Sequence, residues 1–198
     1  MKIKSLFVTL SLFLTVTLSA QETRYEIKSA TIKNTIEAMG QKFSATIHFD
    51  DYGKKESATI VMVIQGMADT IRLHNIKIGD TTITMDLGKK IGKMELIKAD
   101  DKQINFLNIT PEATEKHKLK EIGEEDILGK NCKKYSYETM IDGQTSSTTS
   151  WIWKGISLKS VSSINGMEMS YITTEIQEDA TIDPEMFIVP ADVNIQNM

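Results

Sequence analysis

Three histidines, one cysteine and a few clustered carboxylates are the side chains of this 198-residue chain with the chemistry for proton transfer, nucleophilic attack or metal binding. His48, His74 and His117 are scattered without ligand spacing, whereas a zinc site needs three or four ligands brought together. His48 and His74 also fall on the polar phase of alternating segments, which reads as surface histidines. Asp50-Asp51 and Asp100-Asp101 carry the carboxylates that hard cations favour, but neither pair sits in the spaced Asp/Asn/Gly pattern of a calcium loop. An Asp capping its own turn explains Asp50 better. Glu121, Glu124, Glu125 and Asp126 form an acidic run that reads as a solvated face. The chain has no Gly-x-Ser-x-Gly elbow, Walker loop, dinucleotide-binding glycine turn or His-Glu-x-x-His motif. A non-enzyme with no catalytic residues, no metal and no cofactor is therefore expected. Cys132, the only cysteine, has two readings: a reactive thiol or intermolecular bridge, or a small buried apolar side chain in a strand.

The aromatic residues carry more information. Trp151 and Trp153 lie two apart on a strand-like segment and so share one face, with Ile152 on the other. Tyr135 and Tyr137 share a face of the segment before it. Phe43, Ile47 and Phe49 recur on one face of an earlier alternating segment. If the sheet curls, these faces could enclose an apolar ligand, and the expected lining is Phe43, Ile47, Phe49, Trp151 and Trp153. The alternative is that the same residues fill a solid core.

The elements that must position them are strands. From Ile127 to Gln177 the turn signals Ile141-Asp142-Gly143, Lys154-Gly155 and Asn165-Gly166 separate segments rich in β-branched and aromatic residues, the pattern of consecutive hairpins. Earlier, Phe43, Ala45, Ile47 and Phe49 alternate with Lys42, Ser44, Thr46 and His48, a half-buried strand. A strand is also expected within Tyr25 to Glu37. Further strands are expected over Ser57 to Ile64, after a reversal at Gly66 to Asp69 over Ile71 to Ile78, and then over Thr81 to Leu87 and Met94 to Lys98. Thr110-Pro111-Glu112 supplies an N-cap, a first-turn Pro and an acid, so a helix from Pro111 to about Leu119 is expected, with a helical turn near Ile104 to Leu107 before it. Asp183-Pro184-Glu185 starts a short helical turn, and Ala191 to Met198 reads as a frayed tail. The sum is a mainly β chain: a single curled antiparallel sheet of about ten or eleven strands with one or two short helices.

Residues 1–20 read as a signal peptide: Lys2 and Lys4, an apolar run from Leu6 to Leu18, and small Ser19-Ala20 before Gln21. The apolar run is shorter than the roughly 20 residues of a membrane span, and no cysteine marks a lipoprotein cleavage site. The expectation is cleavage after Ala20, a periplasmic or secreted location in soluble form, and a single domain over residues 21–198. Removing Lys2 and Lys4 from the 23 basic residues leaves 21 against 27 acidic ones. That balance argues against nucleic acid or an anionic membrane surface as a partner.

Four motifs occur in order: Phe49-Asp50-Asp51-Tyr52-Gly53-Lys54-Lys55-Glu56, Ile127-Leu128-Gly129-Lys130-Asn131-Cys132-Lys133-Lys134-Tyr135, Trp151-Ile152-Trp153-Lys154-Gly155-Ile156-Ser157-Leu158-Lys159, and Phe187-Ile188-Val189-Pro190. In these the chain resembles a family of exported proteins of unknown function, common in Bacteroidota, with a domain similar to the LolA/LolB-type lipoprotein carriers. The resemblance implies an incomplete antiparallel β-barrel closed on its concave side by short helices, with a cavity for acyl chains. Two classes of function follow. One is a binding or carrier protein for an apolar ligand, a lipid or lipoprotein acyl chain. The other is a structural or interaction module of the cell envelope, with a solid core, whose partner is another envelope protein.

Overall fold

The computed structural model describes residues 23–63, 70–97, 103–141 and 143–197. The signal segment 1–20, the Gly66 to Asp69 reversal, the Asp100-Asp101 pair and Asp142 lie outside the described residues. Twelve strands form one sheet: β1 (Ala30–Ala38), β2 (Gln41–Asp50), β3 (Lys55–Met62), β4 (Ile71–Ile78), β5 (Thr81–Asp86), β6 (Ile91–Leu96), β7 (Lys120–Ile127), β8 (Lys130–Ile141), β9 (Gln144–Trp153), β10 (Ile156–Ile164), β11 (Met167–Glu178) and β12 (Asn194–Asn197). Their order in the sheet is β12-β6-β5-β4-β3-β2-β1-β11-β10-β9-β8-β7. The strands at the two ends of this order, β12 and β7, are not paired with each other, so the sheet is not closed into a barrel. Two meanders, β1 to β6 and β7 to β11, meet where β1 pairs with β11. The crossover from β6 to β7 carries α1 (Pro111–Lys116).

The hairpins form where the turn chemistry allows. Lys154 and Gly155 have φ of 50° and 82°, and Asn165 and Gly166 have 51° and 78°. Two consecutive left-handed residues make the tight turn whose twist matches the flanking strands, and glycine adopts that conformation without steric cost. The Leu128-Gly129 pair between β7 and β8 turns in the same way, with φ of 54° and 70°.

Several expectations shift. The acidic run Glu121, Glu124, Glu125 and Asp126 is exposed as expected, but it lies within the edge strand β7 and is divided between the strand's two faces. α1 stops at Lys116, three residues short of Leu119, with Thr110 Oγ1 accepting from Ala113 N at 3.1 Å as its cap. Ala191 to Met198 is not frayed throughout: Asn194–Asn197 pairs in parallel with β6. Before it, the 3-10 turn Pro184–Phe187 packs on β3 and β4.

One end of the curled sheet is closed by the segment ahead of β1. Arg24 N and Tyr25 N donate to the Tyr52 carbonyl in the β2–β3 turn, while Glu26 N donates to the Lys154 carbonyl in the β9–β10 turn. Those turns are separated in the sheet by β1 and β11, so a chain of a few residues reaching both requires strong curvature. Beneath this strap sits the main core, with Ile27, Ala30, Ile32, Phe49, Ile156 and Leu158 all buried.

The candidate ligand cavity

Register places side chains of six adjoining strands on the concave face. Tyr137 of β8 stands opposite Thr148 of β9, and Thr148 opposite Ser162 of β10. Ser162 faces Met169 of β11, Tyr171 of β11 faces Ile36 of β1, and Ile36 faces Phe43 of β2. Strand alternation then assigns every second residue to this face. The β6–β7 crossover runs across it. Phe106 packs on Tyr135 and Tyr137 with ring centroids 5.3 and 5.8 Å apart, and Ile104 and Ile109 join Leu119 and Ile152 in a second apolar cluster.

Between crossover and sheet lies a cavity of about 780 Å³. Its walls differ in chemistry. One is apolar, from Ile32, Ile47 and Ile156 of the sheet and Ile104 and Phe106 of the crossover. Another stretch of the lining is a hydroxyl surface built by Ser146, Thr148 and Ser150 of β9, flanked by Ser160, Ser162 and Tyr137. Most of these hydroxyls bond to one another: Tyr137 to Ser150 at 3.0 Å and Thr148 to Ser162 at 2.9 Å. Ser146 Oγ is buried with no hydrogen-bond partner.

At the strapped end, Arg24 pairs with Glu56 and donates to Gln103 Oε1 at 2.6 Å. The far end is rimmed by Met140, Ile141, Thr145 and Met169. Burial pushes the phenols of Tyr25, Tyr137 and Tyr171 above the usual tyrosine range, so all three remain protonated donors at neutral pH. His117 donates from Nδ1 to the Glu138 carbonyl at 2.9 Å. Among the described lining residues, none pairs a nucleophile with a base, and no group of three or more His, Cys, Asp or Glu is placed to hold a metal ion among the described residues.

Of the five residues expected to line a ligand site, Ile47 lines this cavity. Phe43 and Phe49 share its face of β2, but Phe49 is buried in the core against Tyr25, 4.4 Å between ring centroids. Trp151 and Trp153 are not among the described lining residues. Trp151 stands opposite Lys134 on β8 and Lys159 on β10, so alternation sends Ser150 and Ile152 inward in its place. The Lys134 and Lys159 ammoniums lie 4.6 and 4.2 Å from the Trp151 ring centroid, and its indole N–H donates to Glu125 Oε2 at 2.6 Å. Lys130 and Lys154 stand 4.0 and 4.6 Å from the Trp153 ring centroid. The wall residues that sequence reasoning missed, Ser146, Thr148 and Ser150, did leave a signal: they occupy alternate positions of a Ser/Thr-rich strand.

The histidine expectation is corrected at one position. His74 is 8% exposed, with ring nitrogens 2.9 Å from Thr59 Oγ1 and 3.5 Å from Ser57 Oγ. It does point away from the concave face, but the C-terminal 3-10 turn covers that side. Cys132 is fully buried, its thiol donating to the Lys130 carbonyl at 3.3 Å.

No family model matches the chain, and no curated protein does. Among solved structures it is similar to an uncharacterized conserved protein from Thermus thermophilus, with a TM-score of 0.57 at 8% identity over 87% of this chain and 92% of that one. It is also similar to a chain of the Pseudomonas aeruginosa MucA/MucB complex, with a TM-score of 0.52 at 15% identity, covering 86% of this chain and 58% of that chain. MucB crystallised by itself gives a TM-score of 0.52 at 13% identity, covering 88% of this chain and 61% of that one. The chain thus spans about three fifths of the MucB chains it resembles. These identities show a shared fold. Among the described residues no helix is long and apolar enough to cross a membrane.

Proposed function

We propose that this is an exported, non-enzymatic binding or carrier protein that holds an apolar ligand, a lipid or lipoprotein acyl chain, in the concave face of its sheet. The observation that carries the reading is the cavity itself. Its roughly 780 Å³ falls within the span of small-molecule sites, about 300–1,000 Å³. A fold serving only as a solid interaction module would fill that space with side chains, because interiors pack to crystal-like density. The resemblance of the four ordered motifs to the LolA/LolB-type carriers supports the same reading. In this reading the leader is removed after Ala20, and the mature chain acts in the periplasm or outside the cell.

A second reading is favoured by one observation: the far rim is apolar and exposed, with Met39, Met140 and Met167 each more than half accessible. Such a rim suits an envelope protein as partner, and MucB, which shares the fold, is known in a complex with MucA. The two readings differ in what the cavity contains. Native mass spectrometry of the protein expressed with its leader and recovered from the periplasm tests both. The carrier reading expects a chain beginning at Gln21 with a lipid-sized adduct that organic extraction removes. An adduct-free chain that also fails to bind a fluorescent fatty-acid probe would overturn it.

A further inference from the structure

We infer, resting on the carrier reading, that the ligand is an amphiphile whose head is uncharged and hydroxyl-bearing, lying against the hydroxyl wall around Ser146 and Thr148 while its chain lies along Ile32, Ile47 and Phe106. An acyl chain alone leaves that wall unexplained. Apolar pockets fix orientation with a few convergent polar groups, and here hydroxyls of the neighbouring strands β8, β9 and β10 supply six. From Ser146 to Ser150 the row extends about 13 Å at the rise of an antiparallel strand. Burying hydroxyls against hydrocarbon is costly unless they are bonded. Tyr137–Ser150 and Thr148–Ser162 satisfy one another, but Ser146 Oγ has no partner while lying in the cavity wall. A hydroxyl rotates and can donate or accept, so its natural complement is another hydroxyl or an ester oxygen.

The charges point the same way. The lining holds two cations, Arg24 and Lys116, and two carboxylates, Glu56 and Glu138. Arg24 is committed to Glu56. A phosphate or carboxylate head would meet as many lining carboxylates as lining cations and lose its hydration. Glycerol and sugar heads share the required chemistry.

The test is a series of ligands with one C12 chain and different heads, each displacing a fluorescent acyl probe from the intact protein: monolauroylglycerol, dodecyl maltoside, laurate and dodecyl phosphate. One added net hydrogen bond corresponds to about a 3–10-fold gain in affinity. Monolauroylglycerol, dodecyl maltoside or both should therefore bind at least about 3-fold tighter than either anion, and the tighter of the two identifies a glycerol or a sugar head. Ser146→Ala with Thr148→Val should bring that ratio close to one. Equal or tighter binding of the anions overturns the inference and leaves the carrier reading standing. Failure of the wild-type protein to bind the probe or any member of the series overturns the carrier reading itself. The wild-type ratio decides the matter even if the double variant does not fold.

Discussion

Trp151 is held on three sides by charge. Lys134 and Lys159 flank its ring from neighbouring strands and Glu125 accepts its N–H. The ring is nevertheless buried, 5% exposed and part of the main hydrophobic cluster with Cys132 and Leu158, so it is stabilised by packing together with cation–π and hydrogen-bond contacts rather than by a ligand. Trp151→Phe keeps most of the buried ring and removes the N–H. A loss of about 1 kcal/mol is expected in a denaturant titration, at the low end for bonds to charged groups because Glu125 is half exposed, with probe affinity unchanged. A weakened probe would place the tryptophan in the site after all. Residue types and their spacing revealed that Trp151 and Trp153 share a face; which face it is depended on their cross-strand partners. Hydrophobicity alone pointed inward, but lysines opposite the ring on both sides and hydroxyls in alternation decide for outward. His74 shows the converse, because its polar phase was read correctly and a distant segment then covered it. Burial holds its pKa below the ordinary histidine value. Protonation therefore favours the unfolded chain. The His74 contribution is intact above about pH 6.5 and is lost as pH falls below that value, where the unfolded imidazole takes up a proton that the native one resists. Stability measured from pH 7.5 to 5 should decline, and less steeply in His74→Gln. An identical slope in the variant would remove His74 as the cause. At Cys132, burial raises the thiol pKa, so labelling by a thiol reagent at pH 7.5 should be slow until denaturant is added. Labelling at the rate of a free thiol would contradict the buried placement.

At the scale of elements, the tight turns are the most constrained positions. A Cβ on Gly155 would overlap the Arg24 carbonyl and come within 3.0 Å of Leu107 Cγ, at a φ of 82° that other residues rarely adopt. Gly155→Ala should thus be among the most damaging surface substitutions. A loss above about 2 kcal/mol is expected from strain plus the displaced strap, read as a lowered denaturant midpoint. Gly166→Ala, with the same backbone but open space around it, should cost only about 1 kcal/mol. Equal losses would mean that the strap contributes nothing. β8 to β11 were readable because Asp-Gly, Lys-Gly and Asn-Gly signals sit between alternating segments. β12 was not: Asn-Ile-Gln-Asn has neither alternation of any length nor β-branched density, and it pairs only because β6 offers an uncovered edge. Its one apolar residue, Ile195, fills the space beside Gly92 that a side chain there would occupy.

For the molecule as a whole, the sheet and its curl followed from hairpin order, while the cavity did not. A cavity depends on where the crossover lies, and that is set by Phe106 meeting Tyr135 and Tyr137 across about 30 residues of chain. If the cavity is a ligand site, occupancy must stabilise the fold as a whole. Ligand at 100 times its dissociation constant should add about 2.7 kcal/mol, seen as a rise in Tm for wild type that is absent in Ile47→Trp, where the indole occupies the space. A Tm rise of equal size in the variant would place binding elsewhere. The position of β1 has a consequence in time. Its first partner, β2, follows at once, but its second, β11, begins only at Met167. During synthesis at about 5–20 residues per second, one edge of β1 stays open for roughly 6–30 s. The centre of the finished sheet is thus among the last of its antiparallel seams to close, and until then the growing chain carries an unpaired strand edge that another molecule can occupy.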